Sequence, residues 1–253
     1  MTPEAGAKVL GELMARSRRI LVFTGAGIST GSGIPDFRGP KGVWTRCRPV
    51  YYQDFLNSEE ARIEHWDYKL EGYSAFKNAR PNAAHLAIAA LEKLGRLEAV
   101  VTQNIDGLHE AAGNSREKII ELHGTNRWIE CLQCARRYEP EPRFEEFRLS
   151  RRPPLCPCGG FLKTATVMFG QSMPQDKLAR AYAAARQADL VIAAGSTLEV
   201  EPAASVPLAR GKDVPYAVIN LGATAHDPMA TLRLEGDVTR ILPEAAAFLR
   251  SRA

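Results

Sequence analysis

No stretch of this chain approaches the roughly 20 consecutive apolar residues that cross a bilayer. The first apolar run, Ile20 to Phe23, is only strand length and follows Arg16, Arg18 and Arg19 without the features of a signal peptide. A globular cytoplasmic protein with no membrane attachment is the expectation. Blocks of like charge are also missing: 33 Lys and Arg are scattered among 29 Asp and Glu for a net charge of +4, which argues against direct nucleic-acid binding. The exception is the short run Arg148 to Arg152, readable as a solvated face or as a docking rim for acidic partners or nucleic acid. There is no internal repeat and no low-complexity tail, which excludes solenoid and fibrous architectures. Cysteine is scarce, five in 253 residues, and four of them form tight pairs, CLQC (Cys131, Cys134) and CPC (Cys156, Cys158). In a reducing compartment such pairs point to a metal, with a redox role as the other reading. Cys47 stands alone and reads as a small buried apolar residue.

With 45% hydrophobic residues, the chain has enough apolar surface for a full α/β core and a smaller second module. An amphipathic helix is expected over 3–17, leading into a strand at Ile20 to Phe23. Strand-like runs then recur at 98–102, 118–123, 164–169, 189–195 and 215–220, with helical stretches at 83–94, 175–187 and 239–250. That alternation argues for a parallel sheet wound on both faces. Two stretches break it: 39–80, aromatic and charged with no β-branched run, and 128–163, which holds both cysteine pairs. The expected division is therefore a sheet domain from 1–38, 81–127 and 164–253, and a small domain from the helical excursion 39–80 and the cysteine module 128–163.

After the first strand comes TGAGISTGSGIPDFRG, with Gly25, Gly27, Gly31 and Gly33. Glycine admits a pyrophosphate to the backbone, so a dinucleotide site is implied. The dehydrogenase fingerprint GxGxxG with an acid about 20 residues on is not met, since no Asp or Glu lies between Asp36 and Asp54. Asp36, Phe37 and Arg38 instead place an acid, a flat apolar shield and a guanidinium beside the loop. A second cluster, Gln103, Asn104 and Asp106, ends the AVVT strand, and His123 ends another. Polar residues at the carboxyl ends of parallel strands face the ligand crevice; a lone histidine there reads as a structural residue or as part of the site.

GAGISTGSGIPDFRG, TQNIDGLH, ELHG, the CxxC pair, VMFG and GSTLEVEPA occur in the order and spacing of the sirtuins, the NAD-dependent protein lysine deacylases, and the resemblance runs from about Ile20 to Val238. It implies an α/β, Rossmann-like parallel sheet with a smaller helical and zinc-binding module. It also implies that NAD is consumed: nicotinamide is displaced from the ribose by an acetyl-lysine carbonyl oxygen, and the alkylimidate so formed decays to free lysine and O-acetyl-ADP-ribose. Carried over by motif, His123 would be the general base and Asn104 would orient the ribose and a water. Ile105 and Asp106 would receive the nicotinamide amide, Phe37 would cover the ribose, and Arg38 would hold the loop and phosphates. Gly25, Ala26, Gly27, Ser29, Asp36 and Gln103 complete the near wall, while Gly195, Ser196, Asn220, Gly222 and Val238 belong to the adenosine end. Val167, Phe169 and Gly170 match the channel where an extended acetyl-lysine peptide adds as a strand. The four cysteines would hold one structural zinc.

Three departures from the family pattern stand out. The second cysteine pair is CxC rather than CxxC, with Gly159 and Gly160 placed to relieve the tighter hairpin; FGE is FGQ, ending in Gln171; and GTS is GST at Gly195 to Thr197. GPKGVWT and the segment after Asn220 resemble the nuclear branch, so protein ADP-ribosyl transfer, or a weakly catalytic NAD- and acetyl-lysine-binding regulator, stand as alternatives to deacetylation. Members that remove acidic acyl groups carry Tyr-x-x-Arg, whereas here Tyr68 is followed by Lys69, Leu70 and Glu71. An acid at the arginine position leads to the expectation that acidic acyl groups are poor substrates.

Overall fold

The computed structural model describes residues 3–36, 42 and 48–250. Nine strands, numbered along the chain, form two sheets among these residues. The larger has six parallel strands, β1 (Ile20–Thr24), β2 (Leu97–Thr102), β3 (Ile119–Glu121), β7 (Leu190–Ala194), β8 (Tyr216–Asn220) and β9 (Leu232–Glu235), in the order β3-β2-β1-β7-β8-β9. The smaller is antiparallel, with β4 (Gly124–Cys131) between β5 (Arg137–Tyr138) and β6 (Leu162–Thr166).

Strands β1 and β7 are buried along their whole length, as parallel strands covered on both faces must be. The two-residue period divides β1 between two cores. Ile20 and Val22 face helices α1 (Pro3–Arg16), α4 (Ala83–Lys93) and α8 (Val238–Arg250) through Leu10, Met14, Ile88, Leu91 and Leu242. Leu21 and Phe23 face α7 (Gln175–Gln187) and the turn 203–209 through Ala181, Ala185 and Val206. Asn82 caps α4 by accepting from the Ala84 N–H at 3.0 Å, a usual N-cap role. Its amide nitrogen also donates to the Ile28 carbonyl at 2.7 Å, tying the helix to the glycine loop.

The excursion 39–80 is helical where described, with α2 (Tyr52–Asn57) and α3 (Glu59–Asn78). Helix α3 packs on the cysteine module: Trp66 lies in one core with Ile129, Phe144, Phe147 and Leu162, and its indole N–H donates to the Leu162 carbonyl at 3.2 Å. Phe144 and Phe147 come from α6 (Pro140–Ser150).

The run 164–169, expected in the parallel sheet, lies elsewhere. Strand β6 stops at Thr166 and pairs antiparallel with β4, Thr164 opposite Ile129. The chain leaving β4 folds back on it through the cysteine module, a return that suits antiparallel pairing, whereas parallel pairing needs a crossover. Strand β9, also unanticipated, buries Leu232 and Leu234 and turns Arg233 and Glu235 outward, an alternation that hides an edge strand in a polar sequence.

At the reversal of strand order, the loops after β1 and β7 meet backbone to backbone. The Gly27 N–H donates to the Gly195 carbonyl at 2.8 Å. A Cβ on Gly195, which has φ +67°, would lie 2.3 Å from the Ile28 nitrogen. Gly33 also has positive φ, +84°, but opens into space. Gly195→Ala is therefore expected to destabilise the fold by roughly 2–4 kcal/mol, combining backbone strain with overpacking, and Gly33→Ala by only about 1 kcal/mol. Urea unfolding of the two variants measures both, and equal losses would show that the loop contact yields without cost.

Candidate active site

Two threonines at adjacent strand ends begin the site. Thr24 donates to the Thr102 hydroxyl at 2.8 Å, and its oxygen lies 2.9 Å from His109 Nε2. Because the Thr24 proton is committed to Thr102, His109 Nε2 is the donor toward Thr24. Burial and the neighbouring His85 push His109 down to about 3, so the imidazole is neutral. Thr102 in turn accepts from the Asn104 N–H at 3.0 Å, which turns the chain sharply out of β2.

That turn delivers a side-chain relay. The Asn104 amide donates to Ser29 Oγ at 3.1 Å, and Ser29 donates to Asp106 Oδ2 at 2.7 Å. Asp106 Oδ1 accepts from the Leu108 N–H at 2.9 Å, capping the short helix α5 (Leu108–Ala111). Asn104 and Ser29 are buried, so each hydrogen bond is held in a setting where losing it is costly. His123 Nδ1 lies 3.1 Å from the Gln103 carbonyl. A carbonyl only accepts, so Nδ1 carries a proton, and in the neutral form of the ring Nε2 is the lone-pair nitrogen.

A cavity of about 1140 Å³ runs along the carboxyl ends of the strands, at the switch point where doubly wound sheets bind ligands. Gly25, Ala26, Gly27, Asp36, Gln103, Asn104, Ile105 and His123 line its middle; Gly195, Ser196, Asn220, Gly222 and Val238 line one end. Val167, Phe169 and Gly170 line it on the side toward α3. Ser29 and Asp106 sit behind Asn104 as its supports. Phe37, Arg38 and Cys47 lie outside the described residues.

Several contributors carry no motif of their own. Arg233 donates to the Asn220 carbonyl at 3.2 Å and the Gly222 carbonyl at 2.6 Å while paired with Asp227 at 2.8 Å, so it fixes the loop at the nucleoside end. Asn82, noted above, fixes the glycine loop. Its signal was legible as an N-cap before a helix; that of Arg233 was not, because its partners are carbonyls 13 and 11 residues away.

The residues that depart from the family pattern are hydrogen-bonded in the site. Gln171 Oε1 accepts from the Met168 N–H at 3.1 Å, a bond that needs only an acceptor oxygen. Ser196 Oγ accepts from Gln103 Nε2 at 2.9 Å and from the Leu198 N–H at 3.1 Å, linking the ends of β2 and β7. Beside the channel, Tyr51 bridges to Phe169, and the Tyr52 N–H donates to the Phe169 carbonyl at 2.9 Å.

The four cysteine sulfurs lie within 4.8 Å of one another, with Cys131 to Cys158 at 3.6 Å and Cys134 to Cys156 at 3.7 Å. These separations suit a tetrahedral zinc with bonds of about 2.3 Å and leave no open position. The short CxC hairpin closes because Gly159 takes φ +85° and a Cβ on Gly160 would lie 2.6 Å from Cys131 Sγ.

The sequence model of the Sir2 family matches residues 25–202. A protein of Bradyrhizobium diazoefficiens named NAD-dependent protein deacetylase 1 is 41% identical, covering 94% of each chain. The chain belongs to the Sir2 family. A Thermodesulfovibrio yellowstonii protein named NAD-dependent protein deacetylase is also 41% identical, over 95% of this chain and 94% of that one. Among solved structures, a Sir2 protein with deacetylated p53 peptide and 3′-O-acetyl-ADP-ribose superposes with a TM-score of 0.88 at 38% identity, covering 95% of this chain and 97% of that one.

In this Sir2 chain one cluster answers to no motif. Lys69, on α3, donates to Asn126 Oδ1 at 3.3 Å and lies 5.7 Å from the Tyr68 ring. Burial and the like charge of Lys163 push its ammonium from 10.5 down to about 7. Lys163 is buried, donates to the Thr164 and Thr166 carbonyls, and is pushed down to about 8 by burial, against the pull of Glu130. His65 is held well below its ordinary value by burial and by both lysines.

Two outcomes follow. The purified protein is expected to carry one zinc per chain, and Cys131→Ser to lose it together with stability; elemental analysis finding no metal in the unmodified protein overturns the assignment. Between about 7 and 10.5 the unfolded chain holds a proton on Lys69 that the folded chain lacks, so stability rises with pH across that window, and the cost is full below it. Lys69→Met is therefore expected to raise Tm by a few degrees at pH 6–7, with the gain shrinking toward pH 10; a pH-independent change measured by thermal unfolding contradicts this.

Proposed function

We propose that this protein is an NAD-dependent protein lysine deacetylase that releases nicotinamide and O-acetyl-ADP-ribose. The observation that carries the reading is the cavity in which His123, Asn104 and the nucleoside-end loops after β7 and β8 meet, with Ser29 and Asp106 bracing Asn104 from behind. The names of the similar proteins support it, as does a solved Sir2 structure with p53 peptide and NAD, with a TM-score of 0.82 at 38% identity. The sheet domain (1–38, 81–127, 164–253) and the small domain (39–80, 128–163) would form the two walls of the cleft, and acetyl-lysine proteins or peptides are its partners.

NAD enters as a substrate. The Gly25–Gly27 loop and the Gly195–Ser196 turn supply bare backbone for its phosphates, and Asn220, Gly222 and Val238 its adenosine contacts. Ile105 takes the nicotinamide amide, while Asp106, behind Asn104, holds Ser29 in place. Asn104, its rotamer held by Ser29, orients the ribose and a water, which is catalysis by positioning. His123 takes a proton at Nε2 from a ribose hydroxyl as that oxygen attacks the acyl carbon. The Nδ1–H bond to Gln103 holds the tautomer this step requires. Gln171 and Ser196, the altered positions, both make hydrogen bonds that shape the site.

No helix of the described residues is long and apolar enough to cross a membrane. Incubating an acetyl-lysine peptide with NAD and following mass is expected to show loss of acetyl and appearance of O-acetyl-ADP-ribose. His123→Ala should abolish turnover with the fold intact by circular dichroism, and Asn104→Ala should lower kcat/KM at least tenfold, about 1.4 kcal/mol. ADP-ribose gained on protein without loss of acetyl would move the assignment to ADP-ribosyl transfer; normal turnover by the His123 variant would remove it as the base.

A further inference from the structure

Behind the turn that carries Ile105 lies a charge cluster with no role in the reaction as derived. Residues 125–127, at the start of β4, do not line the cavity but lean on that turn. The Asn126 N–H donates to the Ile105 carbonyl at 2.9 Å. Gly107 has φ +73°, and a Cβ there would lie 3.0 Å from Arg127 Cδ, so the arginine stem runs along the bare face of the turn. The guanidinium then forks. Nη1 pairs with Glu110 of α5, Nη2 with Glu121 at the end of β3 at 3.2 Å, and Nε donates to Thr125 Oγ1 at 3.2 Å. Glu110, Glu121 and Asp106 border one small void behind Asn104. Burial pushes the Glu121 carboxyl up, and Glu110 and Asp106 add to that push against the pull of Arg127 and Lys177. Glu110, against the cost of its burial, is held below its ordinary value by Arg127 and Arg116. Lys177 gives its hydrogen bond to the Glu121 carbonyl at 3.2 Å, and Arg116 pairs with Glu110, so Arg127 is the group that ties the two glutamates together. Carboxylates gathered this closely repel one another unless a cation sits between them.

Resting on the deacylase reading, we propose that Arg127 is a positioning residue for the nicotinamide half of NAD: by bridging Glu110 and Glu121 and packing on Gly107 it fixes the turn 105–107, and so sets the affinity for the nicotinamide of NAD and for free nicotinamide as an inhibitor. Arg127 itself touches no reactant. Without it, Glu110 and Glu121 face Asp106 across the void, the turn shifts to separate them, and Ile105 moves with it. The nucleoside end is built by the loops after β7 and β8, which lie on the far side of β1 from β2 and β3. The effect is therefore confined to one half of the dinucleotide. A lysine is only a partial substitute, because an ammonium is a single point charge whereas the guanidinium reaches both carboxylates and Thr125 at once.

The test compares the unmodified protein with Arg127→Met, Arg127→Lys and the double variant Arg127→Met with Glu121→Gln. Assays on an acetyl-lysine peptide give kcat, KM for NAD and the inhibition constant of nicotinamide, and calorimetry gives Kd for ADP-ribose, which carries the nucleoside end without the nicotinamide. Arg127→Met is expected to raise KM for NAD and the nicotinamide inhibition constant together by about tenfold, with the ADP-ribose Kd unchanged. Adding Glu121→Gln should recover part of the loss, because one charge fewer then faces Asp106. Arg127→Lys, which carries the test should the methionine variant not fold, is expected to show the same pattern at smaller amplitude. An unmoved nicotinamide inhibition constant, an ADP-ribose Kd weakened in parallel, or a double variant no better than the single one overturns the proposal. If the unmodified protein turns over no peptide, the deacylase reading has failed on its own, and amide hydrogen exchange decides the clamp. Faster exchange in Arg127→Met at Leu108, Ala111 and Asn126, whose N–H groups bond to residues 105–107, supports it, and exchange equal to that of the unmodified protein rejects it.

Discussion

The contact between two loops of bare backbone, Gly27 N–H to the Gly195 carbonyl, is the constraint from which the site is built. It closes the sheet at the point where strand order reverses. Side chains on either glycine would force the loops apart, and with them Ser196 from Gln103 and the nucleoside-end turn from the reacting end. The glycines of the motif therefore serve the protein's own backbone as well as an incoming pyrophosphate.

Around that contact the strand ends supply short polar side chains that fix one another. Thr24, Thr102, Asn104, Ser29 and Asp106 form an unbroken hydrogen-bonded series, so the reactive groups need no rearrangement to be aligned. The same logic sets the His123 tautomer through a backbone carbonyl, a partner that no protonation change can remove.

Much of this was legible in the residues. Continuous apolar runs such as Ile20 to Phe23 announced buried parallel strands; Asn82, which stands before an apolar helical pattern as a cap would, was not singled out. Gly25, Gly27, Gln103, Asn104 and His123 line one cavity, with Asp106 behind Asn104. What was not legible depends on long-range pairing or rotation: the segment after Lys163 pairs with β4 instead of the main sheet, β9 hides in a polar edge sequence, and Arg233 acts on carbonyls.

Trp66 binds the two parts of the smaller wall into one body, its ring among Phe144, Phe147 and Leu162 and its N–H on the Leu162 carbonyl. Helix α3 thus cannot shift independently of the hairpins that carry the four thiols, and His65 and Lys69 ride on that helix. Oxidation of sulfurs that touch no reactant would loosen the hairpins, and through the shared aromatic core would loosen the α3 wall of the cavity. An oxidant would then silence the enzyme from a distance.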